Sequence, residues 1–156
     1  MICIRHMISD VRAMVLAFAA TIALASCSTP IVSEDFRPRS ERDTSGRYCF
    51  ELDMSDSLAT YDISFYTRID CGTKLFAALP DIPVNVELVS PSGYSFTESV
   101  FLAKSSFDIG RPGSFDILTD YRVDCVPFEY GCWKMFLALP DIRGLRGLGV
   151  ILKSKK

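Results

Sequence analysis

Residues 61–70 read Tyr61-Asp62-Ile63-Ser64-Phe65-Tyr66-Thr67-Arg68-Ile69-Asp70. Tyr61, Ile63, Phe65, Thr67 and Ile69 alternate with Asp62, Ser64, Tyr66, Arg68 and Asp70, and a period of two belongs to a strand with one face turned to a core. Working outward, Tyr48, Phe50 and Leu52 alternate with Cys49, Glu51 and Asp53 in the same way. Val84-Asn85-Val86-Glu87-Leu88 repeats the pattern and runs into Ser90-Pro91-Ser92-Gly93, a turn composition. Further strands are expected over 94–102, around Phe107 and Ile109 before the break at Gly110-Arg111-Pro112-Gly113, and over 115–123, 133–139 and 147–152. None of these stretches needs a helix of ordinary length. Seven or eight short strands separated by Gly, Pro, Ser and Asp turns predict an all-β fold, a two-layer antiparallel β-sandwich of jelly-roll or immunoglobulin-like form.

Two blocks recur. Tyr61-Asp62-Ile63 through Arg68-Ile69-Asp70-Cys71 lines up with Phe115-Asp116-Ile117 through Arg122-Val123-Asp124-Cys125. Lys74-Leu75-Phe76-Ala77-Ala78-Leu79-Pro80-Asp81-Ile82 then matches Lys134-Met135-Phe136-Leu137-Ala138-Leu139-Pro140-Asp141-Ile142, with a longer connection in the second copy. Duplication would give a sandwich with pseudo-twofold halves; chance likeness of amphipathic strands closed by Pro-Asp turns is the alternative.

Upstream of the strands, Ala13 to Ala25 is apolar and follows Arg5 and Arg12, the layout of a signal peptide, and it is too short to span a bilayer as a helix. The run closes in Leu24-Ala25-Ser26-Cys27, which resembles the lipobox of bacterial lipoproteins, where the thiol of the Cys is acylated and the chain is cut before it. The resemblance implies a cleaved signal peptide over 1–26 and a membrane attachment through lipid on Cys27. Several acyl chains hold a protein firmly, since each buried methylene is worth about 0.8 kcal/mol. Residues 28–47 are polar, with Pro30 and Pro38, and read as a flexible tether, which divides the mature chain into a lipidated tether over 27–47 and a sandwich domain over 48–156. Ser28 and the uncharged stretch after it resemble lipoproteins sorted to the outer membrane and facing the periplasm.

Cleavage changes what chemistry remains. The single histidine is His6, which leaves with the signal peptide, so His-based nucleophilic catalysis and His-containing zinc sites leave with it. Of 17 basic residues two leave, Arg5 and Arg12, and of 19 acidic residues one leaves, Asp10, so the mature chain carries 15 against 18. A mildly acidic, exported domain argues against nucleic acid as a partner.

Beyond the lipobox, four segments resemble the gliding-motility-associated lipoprotein H family of Bacteroidetes. They are Tyr61-Asp62-Ile63-Ser64-Phe65-Tyr66-Thr67-Arg68, Val86-Glu87-Leu88-Val89-Ser90-Pro91-Ser92-Gly93, Pro112-Gly113-Ser114-Phe115, and Leu145-Arg146-Gly147-Leu148-Gly149-Val150-Ile151-Leu152-Lys153. The resemblance implies an all-β lipoprotein of the cell envelope tied to gliding and its associated secretion machinery, with no catalytic residue to carry over. The four cysteines beyond the anchor and the Ala-Leu-Pro-Asp-Ile segments depart from that family's pattern.

Several segments invite a site. Arg143-Gly144-Leu145-Arg146-Gly147-Leu148-Gly149 lacks the following helix that a phosphate loop needs, and its glycines fit a turn and close sheet packing. Asp53-Met54-Ser55-Asp56-Ser57 lacks the spacing and the closing Glu of a calcium loop, so no metal or cofactor is expected. Asp81 and Asp141 follow prolines, where an Asp side chain caps turn amides. Lys153, Lys155 and Lys156 form a small basic tail suited to lipid phosphate or to solvation. The candidate binding loop is Val126 to Gly131 with Cys132 and Trp133 behind it, where Phe128, Tyr130 and Trp133 would offer rigid contact area to a protein or a sugar face, or else plug the end of the sandwich. Export permits disulfides among Cys49, Cys71, Cys125 and Cys132. A pair Cys125 with Cys132 is expected if the strands ending and beginning there form a hairpin; Cys71 with Cys125 is the rival, and four free thiols the third case. The function expected is a non-enzymatic envelope lipoprotein acting by protein–protein contact, with a surface glycan-binding or adhesive module as the alternative.

Overall fold

The computed structural model describes residues 30–104 and 107–156. Residues 1–26, expected to be a signal peptide, and Cys27 lie outside the described residues. Nine strands follow in order: β1 Ile31–Pro38, β2 Arg47–Met54, β3 Thr60–Asp70, β4 Ile82–Val89, β5 Ser95–Leu102, β6 Phe107–Arg111, β7 Ser114–Cys125, β8 Gly131–Ala138 and β9 Leu145–Lys155. They form two antiparallel sheets, β1-β9-β3-β7-β6 and β2-β8-β4-β5. The fold is the all-β sandwich that the alternation predicts.

The period-two stretch at 61–70 is β3, the central strand of the larger sheet. Tyr61, Ile63, Phe65, Thr67 and Ile69 face the other layer and are all buried. Tyr48, Phe50, Leu52 and Met54 on β2, with Trp133, Met135 and Leu137 on β8, supply the opposing face. Thr67 is tolerated in that core because its hydroxyl donates to the Gly147 carbonyl at 2.5 Å. On the outer side of the same sheet Phe36 stacks on Tyr66 with centroids 5.4 Å apart. Both rings lie across β9 at its glycines: a Cβ on Gly149 would sit 2.1 Å from the Tyr66 ring, and one on Gly147 2.7 Å from Phe36. Those glycines therefore serve close packing, as expected, and the segment passes directly into a strand.

Four expectations are corrected. Residues 31–38 are not tether: β1 pairs with β9 along its whole length, Ile31 opposite Ser154 and Pro38 opposite Gly147, so the folded domain begins at Ile31 rather than at 48. β1 is a sheet edge with no buried side chain, so its ladder, and not an alternation, holds it. Second, that stretch adds a strand: the eight expected strands are all present as β2 to β9, and β1 makes nine among the described residues. Third, the 74–82 and 134–142 blocks take different structures. Lys74 to Ala78 lies in a helix, α1, Thr73–Ala78, whereas Lys134 to Ala138 lies in β8. Phe76 of α1 turns inward and stacks on Phe115 at 4.0 Å, closing one end of the core, so the halves are not pseudo-twofold copies. Fourth, β7 and β8 belong to different sheets, so the segment between them crosses the sandwich and makes no hairpin. Cys125 and Cys132 are free thiols, as are Cys49 and Cys71. Cys125 pairs opposite Tyr61 and Asp70 opposite Ser114, which sets Cys71 and Cys125 at opposite ends of the β3–β7 ladder and removes the rival pairing as well.

Candidate binding surface

Strand registers sort the connections into two poles. Ile31 lies opposite Ser154, Thr60 opposite Lys155, and Tyr61 opposite both Ser154 and Cys125, so the start of β1 and the ends of β7 and β9 share one pole. Met54 opposite Gly131 and Val89 opposite Ser95 bring the connections 55–59, 90–94 and 126–130 to that same pole. The opposite pole gathers α1, the 3-10 turn Arg39–Glu41 and the 139–144 connection.

Trp133 is the base of the first pole. It is only 3% exposed, and its indole N–H donates to the Glu129 carbonyl at 2.9 Å, pinning the crossing loop from below. Phe128 sits edge-on to Trp133 at 5.1 Å and to Tyr94 at 5.9 Å, and stays 68% exposed. Edge-to-face rings of this kind hold one another in register. Ser92 donates to the Glu129 carboxylate at 2.8 Å, and the hydroxyls of Ser90 and Ser92 hold that carboxyl below its ordinary range. Gly131, at φ +143°, lets Pro91 come against it, since a Cβ there would lie 2.9 Å from the proline ring. The 90–94 and 126–130 connections thus form one unit.

Of the predicted binding residues, Phe128 and Tyr130 are exposed and Trp133 is not; Trp133 fills the end of the sandwich and supports Phe128. Beneath the loop an apolar cavity of about 150 Å³ runs between the sheets, lined by Met54, Ile63, Leu88, Phe96, Arg122, Cys125, Phe128 and Trp133. Burial pushes the Cys125 thiol up. Cys132 points to the outer face of the smaller sheet, opposite Asp53. Two further large side chains are exposed here that the sequence did not single out. Leu58 is 82% exposed on the β2–β3 turn, and Tyr94 is exposed on the β4–β5 turn. The signal was there: a large apolar residue at a turn tip, where turn chemistry favours small polar ones. With Ile31, Val32 and Val126 they complete a crown of exposed apolar side chains around this pole.

Lysines at the crown are held by aspartates. Lys155 bridges Asp62 at 2.6 Å and Asp124 at 2.8 Å, and Lys156 meets Asp56 at 2.8 Å. The amide of Asp124 and the Lys155 ammonium hold the Asp62 carboxyl below its ordinary range. Asp53 and Asp56 accept the amides of Ser55 and Leu58, which is turn capping, as the absence of a calcium-loop spacing suggested.

The opposite pole has a charged rim, with Leu75 of α1 and Phe101 of β5 as its exposed apolar side chains. Arg39 pairs with Asp141 at 2.6 Å, and Asp70 accepts from Arg146 at 2.6 Å and from Ser114 at 2.8 Å. An open cleft of about 500 Å³ lies over Pro38, Arg39, Ser40, Asp70, Gly144, Leu145 and Arg146. Asp81 accepts the Lys104 amide at 3.1 Å, while Asp141 faces Arg39, so each aspartate holds a turn of its own. Lys104 donates to the carbonyls of Ala77 and Leu79, closing the end of α1. Among the described residues no group of three His, Cys, Asp or Glu is placed to hold a metal, and no helix is long and apolar enough to cross a membrane.

No protein-family model matches this chain, and no curated protein matches it by sequence. Among solved structures, the enzymatically active domain of bacteriophage CBA120 tailspike protein 4 is similar at a TM-score of 0.38 and 10% identity, over 81% of this chain. The chain spans 19% of that phage protein's length.

Proposed function

We propose that the chain is a lipoprotein of the cell envelope, held at the outer membrane on its periplasmic side by lipid on Cys27, and that its sandwich acts by contact with another envelope protein rather than by catalysis. The observation that carries this is the contrast between poles. Ile31, four residues after Cys27, starts at the apolar pole, so the polar cleft with Arg39, Asp70 and Arg146 is turned away from the anchor. Exposed, paired charges around an open depression suit a reversible, charge-selected protein contact. The loss of the single histidine with the signal segment, and the separate structural roles of Asp81 and Asp141, support a non-catalytic role. The resemblance to the lipoprotein H family supports an assembly role in gliding or the associated secretion machinery.

A photo-crosslinking residue in place of Ser40, in native membranes, tests the contact. A discrete protein adduct at Ser40 is the expected result; no adduct there rejects the polar pole as the contact. The second reading, a glycan-binding or adhesive module, is favoured by the exposed rings of Phe128 and Tyr130. It lacks converging polar groups, because Glu129 is already engaged by Ser90 and Ser92. Glycan binding lost in the double variant Phe128→Ser, Tyr130→Ser would establish that reading instead.

A further inference from the structure

We infer that the apolar crown is a membrane-contacting face, seated on the same bilayer that holds the lipid of Cys27. This rests on the lipoprotein reading and adds to it an orientation and a second attachment.

Reach is the first ground. Residues 28–47 read as a tether would let the domain stand well clear of the membrane, but β1 takes up 31–38. From Cys27 to Ile31 is four residues, which span at most about 14 Å fully extended. Ile31 lies on the crown itself, on the edge strand of the larger sheet. The β7 end is three strands away across that sheet, about 14 Å at ordinary strand spacing. Tether and crown are thus of equal size, and a modest tilt brings the 126–130 connection to the surface that the anchor occupies.

Chemistry is the second ground. Ile31, Val32, Leu58, Tyr94, Phe128 and Tyr130 are all exposed at this pole and come from four separate segments of chain. Tyrosine joins an apolar ring to a polar tip, which suits the depth of lipid headgroups, while Leu58 and Phe128 supply groups for the acyl boundary beneath. Large apolar side chains gathered at one end of a domain mark an interaction surface.

Electrostatics is the third ground and decides the kind of lipid contact. Lys155 and Lys156 are outnumbered by the three carboxylates of Asp56, Asp62 and Asp124 that engage them, so this cluster does not draw the domain to anionic lipid. The basic-tail reading of these lysines gives way to one in which apolar insertion carries the contact. Seating therefore should not require anionic lipid.

Hydroxyl-radical footprinting of the full lipidated chain tests this, in protein-free vesicles of phosphatidylethanolamine with and without phosphatidylglycerol. The reference is the Cys27→Ala chain free in solution. Oxidation of Leu58, Tyr94 and Phe128 is expected to fall several-fold in both kinds of vesicle, while Phe101, exposed on β5 toward the other pole, is unchanged. Acylated chain whose Phe128 oxidises as fast as Phe101 overturns the membrane-facing crown and leaves the lipoprotein reading standing. Protection that occurs in native membranes but not in protein-free vesicles also overturns it, in favour of a protein on the crown. Chain recovered without acyl mass on Cys27 removes both readings together.

Discussion

The two poles of the sandwich are closed by different means, tight turns at one and a short helix with a 3-10 turn at the other, and their rims differ in what they expose. At the pole where Ile31 begins, the turn tips carry Leu58, Tyr94 and Phe128, and Lys155 is held by aspartates. At the other, α1 seals the core with Phe76, and the rim is made of Arg39, Asp141, Asp70 and Arg146. On the proposed lipoprotein reading, the first pole would meet lipid and the second solvent and partners, and the contrast between their rims supports that proposal.

The sharpest way to break the comparison is to remove the floor of the apolar pole. Trp133→Ala empties the end of the core and deletes the hydrogen bond that pins the crossing loop, so a loss of about 3–5 kcal/mol is expected in urea unfolding. Phe128→Ser, at a ring left mostly in solvent, is expected to cost no more than about 1 kcal/mol. Equal losses would mean that Phe128 is part of the core and not of a contact surface.

Next in size is Gly149→Ala, which has no connection with either pole and serves as the control for general damage. Its Cβ would meet the Tyr66 ring at 2.1 Å, and overpacking of this kind costs about 1–3 kcal/mol. The Tm should fall while the footprint of the crown in vesicles is kept.

Acid should loosen both poles. Asp43, Asp56, Asp62 and Glu129 have folded pKa values depressed by hydrogen bonds and ion pairs, so their contribution is present above the unfolded value and lost as pH falls through the folded one. With unfolded carboxylates near about 4, stability is expected to be flat from neutral pH down to that region and to drop below it. A decline already complete at pH 6 would contradict this assignment.

The smallest effects concern side chains in full contact with water. Cys49 and Cys132 should alkylate first, and Cys71 and Cys125 slowly, because burial raises both of these thiols and Cys125 faces the cavity. Arg39→Gln removes an exposed ion pair and should change stability by less than about 1 kcal/mol, even though it alters the rim of the polar cleft.

Sequence made the central strands legible because a half-buried strand must alternate, and 61–70 does so without a break. It did not make β1 legible, because Ile31 to Pro38 buries no face and is held through backbone pairing with β9, which leaves no mark on side-chain order. Nor could it separate the two similar blocks. Lys74-Leu75-Phe76-Ala77-Ala78 and Lys134-Met135-Phe136-Leu137-Ala138 differ little, yet one caps an open end as a helix and the other lies between β2 and β4 as a strand. Local preference was overruled by what each segment had to cover. The aromatic loop was visible as composition, but Trp133 as its buried support needed the crossing between sheets, and the hairpin reading that paired Cys125 with Cys132 failed for the same reason.

The mass of the protein extracted from its native membrane tests the account most directly. A chain that begins at Cys27 and carries acyl mass on that residue, with the Cys27→Ala variant folded but unacylated, is the predicted result. A chain that retains residues 1–26, or begins at Cys27 with a free thiol, contradicts it.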